Sequence, residues 1–413
     1  MIKSLFVSVL LLLTGFQLSA QSTFTISGQV KDDKGGLPGA SIYLSGYKIA
    51  TVADNDGRYK LLNLKPGSYD ILVQMVGYLP YSKSVIVSDK SVEVNLILKE
   101  NVAQLDEVVI RADPNRQKYI NQFKDFFIGK TPNAAQCKIL NPQVLNVDYD
   151  ATNSTLSVST TEFLIVENKA LGYRLKYMLD HFEYNSRTRI IYYSGHPFFE
   201  ELKASAARKK KYIAAREVAY YGSAQHFFRS LYSNKTKEEG FIINKMVKMP
   251  NPNRYPEYVI NTNLMNIKNA AEKTGIRQNA GKVDVGLLEF WTKQQEMPKT
   301  IDKFSRAEVL TDTLVHYFNE NLKWINYTDA LIIQYTKEQE SLAYSKTGFW
   351  IFRPLDVPEN ELSVANLTQG PVRFYENGGI YDSRSLLYEG FWAYEKIADM
   401  VPMDYVPLKK PAP

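Results

Sequence analysis

Between residues 23 and 98, apolar and polar residues alternate with a period of two, and glycine or proline interrupts the pattern at short intervals. In "TFTISGQV", Phe24, Ile26 and Val30 fall on one parity while Thr23, Thr25, Ser27 and Gln29 fall on the other. "SYDILVQM" repeats the pattern with Tyr69, Ile71, Val73 and Met75, and "VEVNLIL" with Val92, Val94, Leu96 and Leu98. Successive side chains of a strand point to opposite faces, so each run reads as a half-buried strand. Gly35-Gly36, Pro38-Gly39, Asp56-Gly57, Pro66-Gly67 and Gly77 supply the breaks. About seven short strands at this spacing predict a small, all-β antiparallel sandwich.

"DNDGRY", residues 54–59, has the opening of a calcium loop. Counted from Asp54, however, the positions that need an oxygen ligand, a glycine and a closing glutamate hold Arg58, Tyr59 and Lys65. The stretch therefore reads as a turn, in which Asp56-Gly57 supplies positive φ.

The order G-x-V, L-P-G-A, T-x-x-D-x-D-G-x-Y, L-x-P-G-x-Y and G-Y across residues 22–99 resembles the carboxypeptidase-regulatory-like domain, a transthyretin-like β-sandwich. The resemblance implies that fold, with no catalytic residue in the domain itself. The linker 100–115 contains "LDEVVI" (Leu105, Asp106, Glu107, Val108, Val109 and Ile110), similar to a segment of starch-utilisation-type TonB-dependent receptors. It reads either as a strand that docks on the sheet edge of an outer-membrane receptor or other envelope protein, or as a plain linker. The 300 residues that follow lack room for both a plug and a barrel of about 22 strands, so the receptor itself is excluded.

From residue 116 to 408 the pattern is mixed. "QKYINQFKDFFIGK" has helical spacing and Gly129 at its stop. "TLSVSTTEFLIVEN", "GYRLKYMLDHFEYN" and "TRIIYYSG" read as strands, with a parity slip that predicts a bulge near Asp180-His181. Residues 200–234 read as two helices divided at Gly222, with Ser223 as the second N-cap. "EGFIINKMV", "TDTLVHYF", "DALIIQYT" and "KTGFWIF" are expected strands, Asn377-Gly378-Gly379 a hairpin turn, and Phe391 to Ala398 a closing helix that Pro402 ends. The predicted class is a β-rich α+β domain. "NAAQCKILNP", "YSGHPFFEEL", "YYGSAQHFFRSL" and "GFWAYEKIADMVPMDY" resemble exported envelope proteins of Gram-negative bacteria that carry the same first domain; that likeness implies location, not activity.

Lys3 followed by apolar residues 4–14 and Ser19-Ala20 reads as a signal peptide over residues 1–20. This predicts export to the periplasm or to an outer-membrane association, with no transmembrane span in the mature chain. A single cysteine, Cys137, leaves no internal disulfide and reads as a small buried hydrophobe. The net charge of +6 is scattered except for Arg208-Lys209-Lys210-Lys211, a solvated helix face rather than a nucleic-acid patch.

Four histidines bound the catalytic options. His-Glu-x-x-His and the metallocarboxypeptidase His-x-x-Glu are missing, as are Gly-x-Ser-x-Gly, phosphate-loop and dinucleotide motifs, so no metal site, cofactor or catalytic residue is assigned. The candidate pocket cluster is His181, His196, Glu200, Ser223 and His226, with Asp180, Glu183 and Glu201 nearby. Convergence would permit general acid–base hydrolysis; otherwise these residues rim aromatic cores. The aromatic runs "YYSGHPFF", "HFFRSLY" and "RFYEN" fit cores first and carbohydrate stacking second. The expectation is a non-enzymatic binding or adapter protein, with a hydrolase and a purely structural envelope protein as alternatives.

Overall fold

The computed structural model describes residues 23–101, 114–273, 285–319, 321–347, 351 and 353–408. The predicted signal peptide and the "LDEVVI" segment at 105–110 lie outside the described residues.

Eight strands build the first domain: β1 (Phe24–Lys31), β2 (Ser41–Leu44), β3 (Ala50–Val52), β4 (Arg58–Leu64), β5 (Gly67–Gln74), β6 (Tyr81–Val87), β7 (Val92–Glu93) and β8 (Leu96–Ile97). One sheet runs β4-β1-β7 with β8 also on β1, and the other runs β3-β2-β5-β6. The alternation holds: Ile26, Val30, Ile42, Leu44, Ile71, Val73 and Leu96 are fully buried between the sheets. The sandwich departs from purely antiparallel order because β7 and β8 pair with β1 in parallel. "DNDGRY" is a turn, but it joins strands of different sheets rather than closing a hairpin, since β3 pairs with β2 and β4 with β1. The Asp54 carboxylate accepts from the amides of Asp56 and Arg58, and Gly57 has φ +78°.

The second region opens with helix α1 (Arg116–Phe127), whose buried Phe123 and Phe127 lie on a sheet of β9 (Cys137–Ile139), β10 (Leu145–Asp150), β11 (Thr155–Thr160), β12 (Leu164–Asn168), β13 (Tyr173–Asn185) and β14 (Ile191–Glu201). β13 is central. Its first half pairs with β12, its second half with β11, and the register shifts between Leu179 and His181, where the parity slip predicts a bulge.

Helices α2 (Ala206–Tyr220) and α3 (Ala224–Tyr232) follow, divided at Gly222 with φ +79°, and the Ser223 hydroxyl accepts from the His226 amide as an N-cap. Phe227, Phe228 and Leu231 of α3 cover a second sheet. That sheet consists of β15 (Phe241–Pro250), β16 (Thr300–Phe304), β19 (Ala330–Gln339), β20 (Asn360–Leu367) and β22 (Leu386–Gly390). Strands β17 (Val315–Asn319), β18 (Leu322–Ile325) and β21 (Val372–Phe374) form a smaller one. Helices α4 (Glu257–Lys273) and α5 (Val285–Glu296) leave the β15–β16 end as a pair.

Three local expectations change. Glu200 and Glu201 belong to strand β14 rather than to a helix. "TDTLVHYF" begins with a helical turn at Thr311–Leu314 before β17, because the Thr313 amide bonds back to the Leu310 carbonyl. The closing segment is two short helical pieces, Phe391–Tyr394 and Ile397–Asp399, broken by the extended backbone of Lys396. Of "KTGFWIF", only part lies within the described residues.

Candidate functional site

The first domain is seated on the second through the outward face of its β3-β2-β5-β6 sheet. Tyr43 and Leu72 are paired neighbours on that face, where the alternation calls for polar residues. Leu72 is only 2% exposed because it packs with Phe163 and Met178 of the second region. Tyr43 meets the Phe163 and Phe198 rings edge-on at 5.3 and 4.8 Å. Burying a side chain of this size contributes about 1.5–3 kcal/mol.

The turn after β2 locks this contact. The Gly46 amide donates to the Pro197 carbonyl at 2.6 Å, the Phe199 amide to the Tyr47 carbonyl at 3.0 Å, and the Met403 amide to the Gly46 carbonyl at 2.7 Å. Glycine is needed at residue 46: φ is +83°, and an added Cβ would sit 3.1 Å from Met403 Cγ. Lys48 pairs with Glu201 across the same junction at 3.4 Å.

Beside the apolar contact, the same sheet face turns polar, and there the domains part to leave a cleft of about 580 Å³. Ser68, Asp70 and Ser84 line it from the first domain. Tyr177, Asp180, Tyr193 and His196 line it from β13 and β14, and Tyr375, Asn377, Tyr381 and Asp382 from the hairpin after β21. Asn377 donates to the Tyr47 hydroxyl at 2.6 Å, and Tyr47, Asn377 and Met403 also line a smaller cavity of about 310 Å³. Burial raises the Tyr193 hydroxyl to about 12 and pushes that of Tyr177 well above its ordinary value, so both remain neutral donors.

The five candidate residues do not converge. His196 Nε2 lies 3.5 Å from Asp180 Oδ2 in the cleft wall, and its buried Nδ1 has no protein partner among the described residues. His181 faces Glu183 at 3.3 Å. Glu200 pairs with Lys176 at 2.6 Å. His226 is buried in a different hollow, lined by Tyr220, Tyr221, Arg229 and Glu239. The Gly222 amide donates to His226 Nδ1 at 3.2 Å, so Nε2 carries the proton toward Glu239 Oε2 at 3.2 Å. Burial pushes this imidazole down to about 4, against the pull of Glu239. Ser223 donates to the Tyr220 carbonyl at 2.6 Å and makes no bond to the imidazole, so the two are not a nucleophile–base pair. Cys137 is buried and its thiol is raised to about 12, the state of an inert hydrophobe. Among the described residues no three His, Cys, Asp or Glu side chains gather as a metal site. The run Arg208-Lys209-Lys210-Lys211 is exposed along α2.

Sequence reasoning missed the other cleft residues: Asp70, Ser84, Tyr193, Asn377 and Asp382. The available signal was Leu72, an apolar residue on a strand parity otherwise given to Ser68, Asp70 and Gln74, which marks that face as covered.

Residues 26–110 match the CarboxypepD_reg-like domain family. The first region is a CarboxypepD_reg-like domain. Its match runs through 105–110, so the family pattern takes in "LDEVVI". No curated protein matches the chain at a significant level. Among solved structures, the chain is similar to an interface mutant of the type II cohesin–X-dockerin complex from Acetivibrio cellulolyticus (19% identity, 19% of this chain, 58% of that one, TM-score 0.17). It is also similar to catechol 1,2-dioxygenase from Acinetobacter (9% identity, 21% and 55%, TM-score 0.18). A third likeness is to a putative carbohydrate binding protein from Bacteroides uniformis (12% identity, 37% and 57%, TM-score 0.16). The chain spans less than two thirds of each, and at these scores nothing is carried over from them. Among the described residues no helix is long and apolar enough to cross a membrane.

Proposed function

We propose that this protein is an exported, non-enzymatic binding module, and that its ligand occupies the cleft between the CarboxypepD_reg-like domain and the second region. The observation that carries the reading is the composition of the cleft wall. Tyrosine rings lie among short polar side chains drawn from four strands and a hairpin: Asp70 on β5 and Ser84 on β6, Asp180 on β13 and His196 on β14, and Asn377 and Asp382 after β21. A cleft of about 580 Å³ lies within the range of small-ligand sites, and a few convergent polar groups on an aromatic wall suit one that fixes orientation. Carboxylates and an amide accept and donate to vicinal hydroxyls, and the half-exposed Tyr381 offers a face for stacking. Three aspartates against one imidazole disfavour an anionic ligand. The ligand class is therefore a neutral carbohydrate.

A non-catalytic role is favoured because the histidines and carboxylates are divided among separate pairs rather than aimed at one reacting atom. Calorimetric titration with neutral oligosaccharides tests the reading. Saturable binding that Asp70→Leu and His196→Leu each weaken about tenfold supports it; unaltered binding in both variants rejects the cleft.

An adapter role through Leu105 to Ile110 is the second reading, favoured by the family match that extends over those residues. Pull-down from envelope extracts with and without residues 101–112 tests it: a TonB-dependent receptor captured only by the intact chain is the expected result.

A further inference from the structure

Helix α1 and strand β9 border a groove of about 430 Å³, separate from the cleft and within the range of small-ligand sites. Ile120 and Ile139, both packed on the core beneath, give it an apolar floor. Arg116, Lys124 and Lys138 also line it, and among the described residues no carboxylate does.

The local balance of charge is one-sided. Residues 114–145 carry five lysines or arginines and one acid, Asp125, which Lys130 holds at 2.9 Å. Glu167, opposite Lys138 on β12, is engaged by Lys169 at 3.5 Å and by Arg174 at 3.6 Å. Lys124 and Lys138 are exposed and form no ion pair among the described residues. The first turn of α1 has no acid either, so the positive end of the helix adds to the field.

Spacing shapes the ligand. Arg116, Ile120 and Lys124 recur every four residues and share one stripe of α1, which sets the two cations about 12 Å apart along the axis. The Arg116 guanidinium is fixed at its end by a 2.8 Å bond from Nη2 to the Leu145 carbonyl. Charges so placed suit a chain with anions at intervals better than a single phosphate. The amides of Gln117, Asn121 and Gln143 share the groove, and an amide both donates to and accepts from hydroxyls.

We propose that this groove binds an acidic oligosaccharide, with Arg116, Lys124 and Lys138 on its carboxylates or sulfates and the three amides on its hydroxyls. Single-stranded nucleic acid is disfavoured because no aromatic ring among the described residues lines the groove for base stacking. A peptide would have to add to the edge strand β9, whose three residues form the kind of short edge that blunts strand addition. The inference is independent of the cleft reading and uses none of its residues.

Calorimetric titration of the whole chain with tetragalacturonate and with a chondroitin sulfate tetrasaccharide tests it, and separates carboxylate from sulfate recognition. Saturable binding to at least one is expected, falling as salt rises from about 0.05 to about 0.5 M. Methyl-esterified tetragalacturonate, the same chain without its charge, is expected to bind far more weakly. The combined variant Lys124→Gln and Lys138→Gln is expected to lose roughly a hundredfold in affinity. A control with Lys209→Gln and Lys210→Gln, exposed lysines of α2, is expected to bind as the parent does, as is Asp70→Leu in the cleft. Thermal melting confirms that each variant is folded. The proposal is overturned by binding that is absent for both acidic saccharides, equal for the ester or unchanged in the double lysine variant. It is equally overturned if tetraglutamate or phosphatidylglycerol vesicles occupy those lysines more tightly than either saccharide.

Discussion

The two regions use their interiors differently. Between the sheets of the CarboxypepD_reg-like domain the core is hydrocarbon and tyrosine, and its lysines and carboxylates stay outside, as in the Lys34–Glu100 pair and the Asp32 carboxylate, held low by the Tyr78 hydroxyl and two amides. The second region buries charge-bearing groups: Arg216 on the carbonyls of Leu171 and Gly172, His226 among four aromatic rings, Glu361 in the β20 ladder, and Asp399 under Thr131 and Asn133. The first domain is a scaffold whose specificity lies on one outward face. The second has an interior whose energy depends on pH.

The largest effects should not distinguish the two regions. Ile42→Ala in the sandwich and Phe182→Ala in the second region both empty fully buried sites, and each is expected to cost about 2–5 kcal/mol in urea unfolding. The contrast appears at the junction. Leu72→Asp is expected to cost about 2–4 kcal/mol, whereas Ser82→Asp, its exposed register neighbour on the same sheet face, should cost almost nothing. Equal tolerance at both positions, measured by thermal melting, would mean that the outward face is free and the cleft has no fixed wall.

pH sharpens the comparison next. Burial raises Glu361 to about 9, so the folded state holds a proton that the unfolded chain releases near 4.5. Stability from this group is complete below about 4.5 and is lost as pH rises toward about 9. Glu361→Gln should therefore gain on the parent with rising pH, by about 1–3 kcal/mol at pH 9. His226 has the opposite sign. Its folded value of about 4 lies below the ordinary 6.5, so its contribution is present above 6.5 and lost as pH falls through about 4. His226→Phe should flatten the acid limb of a melting-temperature profile. Gly46→Ala is expected to cost about 1–2 kcal/mol from positive φ and the Met403 contact.

The sandwich was legible because period two, turn glycines and burial all report the same thing in a two-sheet domain. Its parallel closure was not, since β7 and β8 have two residues each and pairing direction leaves no trace in alternation. In the second region the bulge at residue 180 and the break at Gly222 could be read from parity and from a single glycine. The helix pair α4–α5 was not read, although Ile260, Leu264 and Ile267 carry helical spacing, because its apolar residues face outward as well as inward. Of the candidate site, His196 and the nearby Asp180 were found and the rest of their company was not. Ser84, Asn377 and Asp382 come to it from elements far along the chain, and sequence proximity drew in His226 and Glu200 instead.

Hydrogen–deuterium exchange of the whole chain, with and without a saturating neutral oligosaccharide, tests whether the ligand sits between the two regions. Added protection is expected on both sides of the cleft together, at residues 45–47 of the first domain and at 193–197 and 375–383 of the second. Protection confined to one region, or found away from these segments, would contradict it.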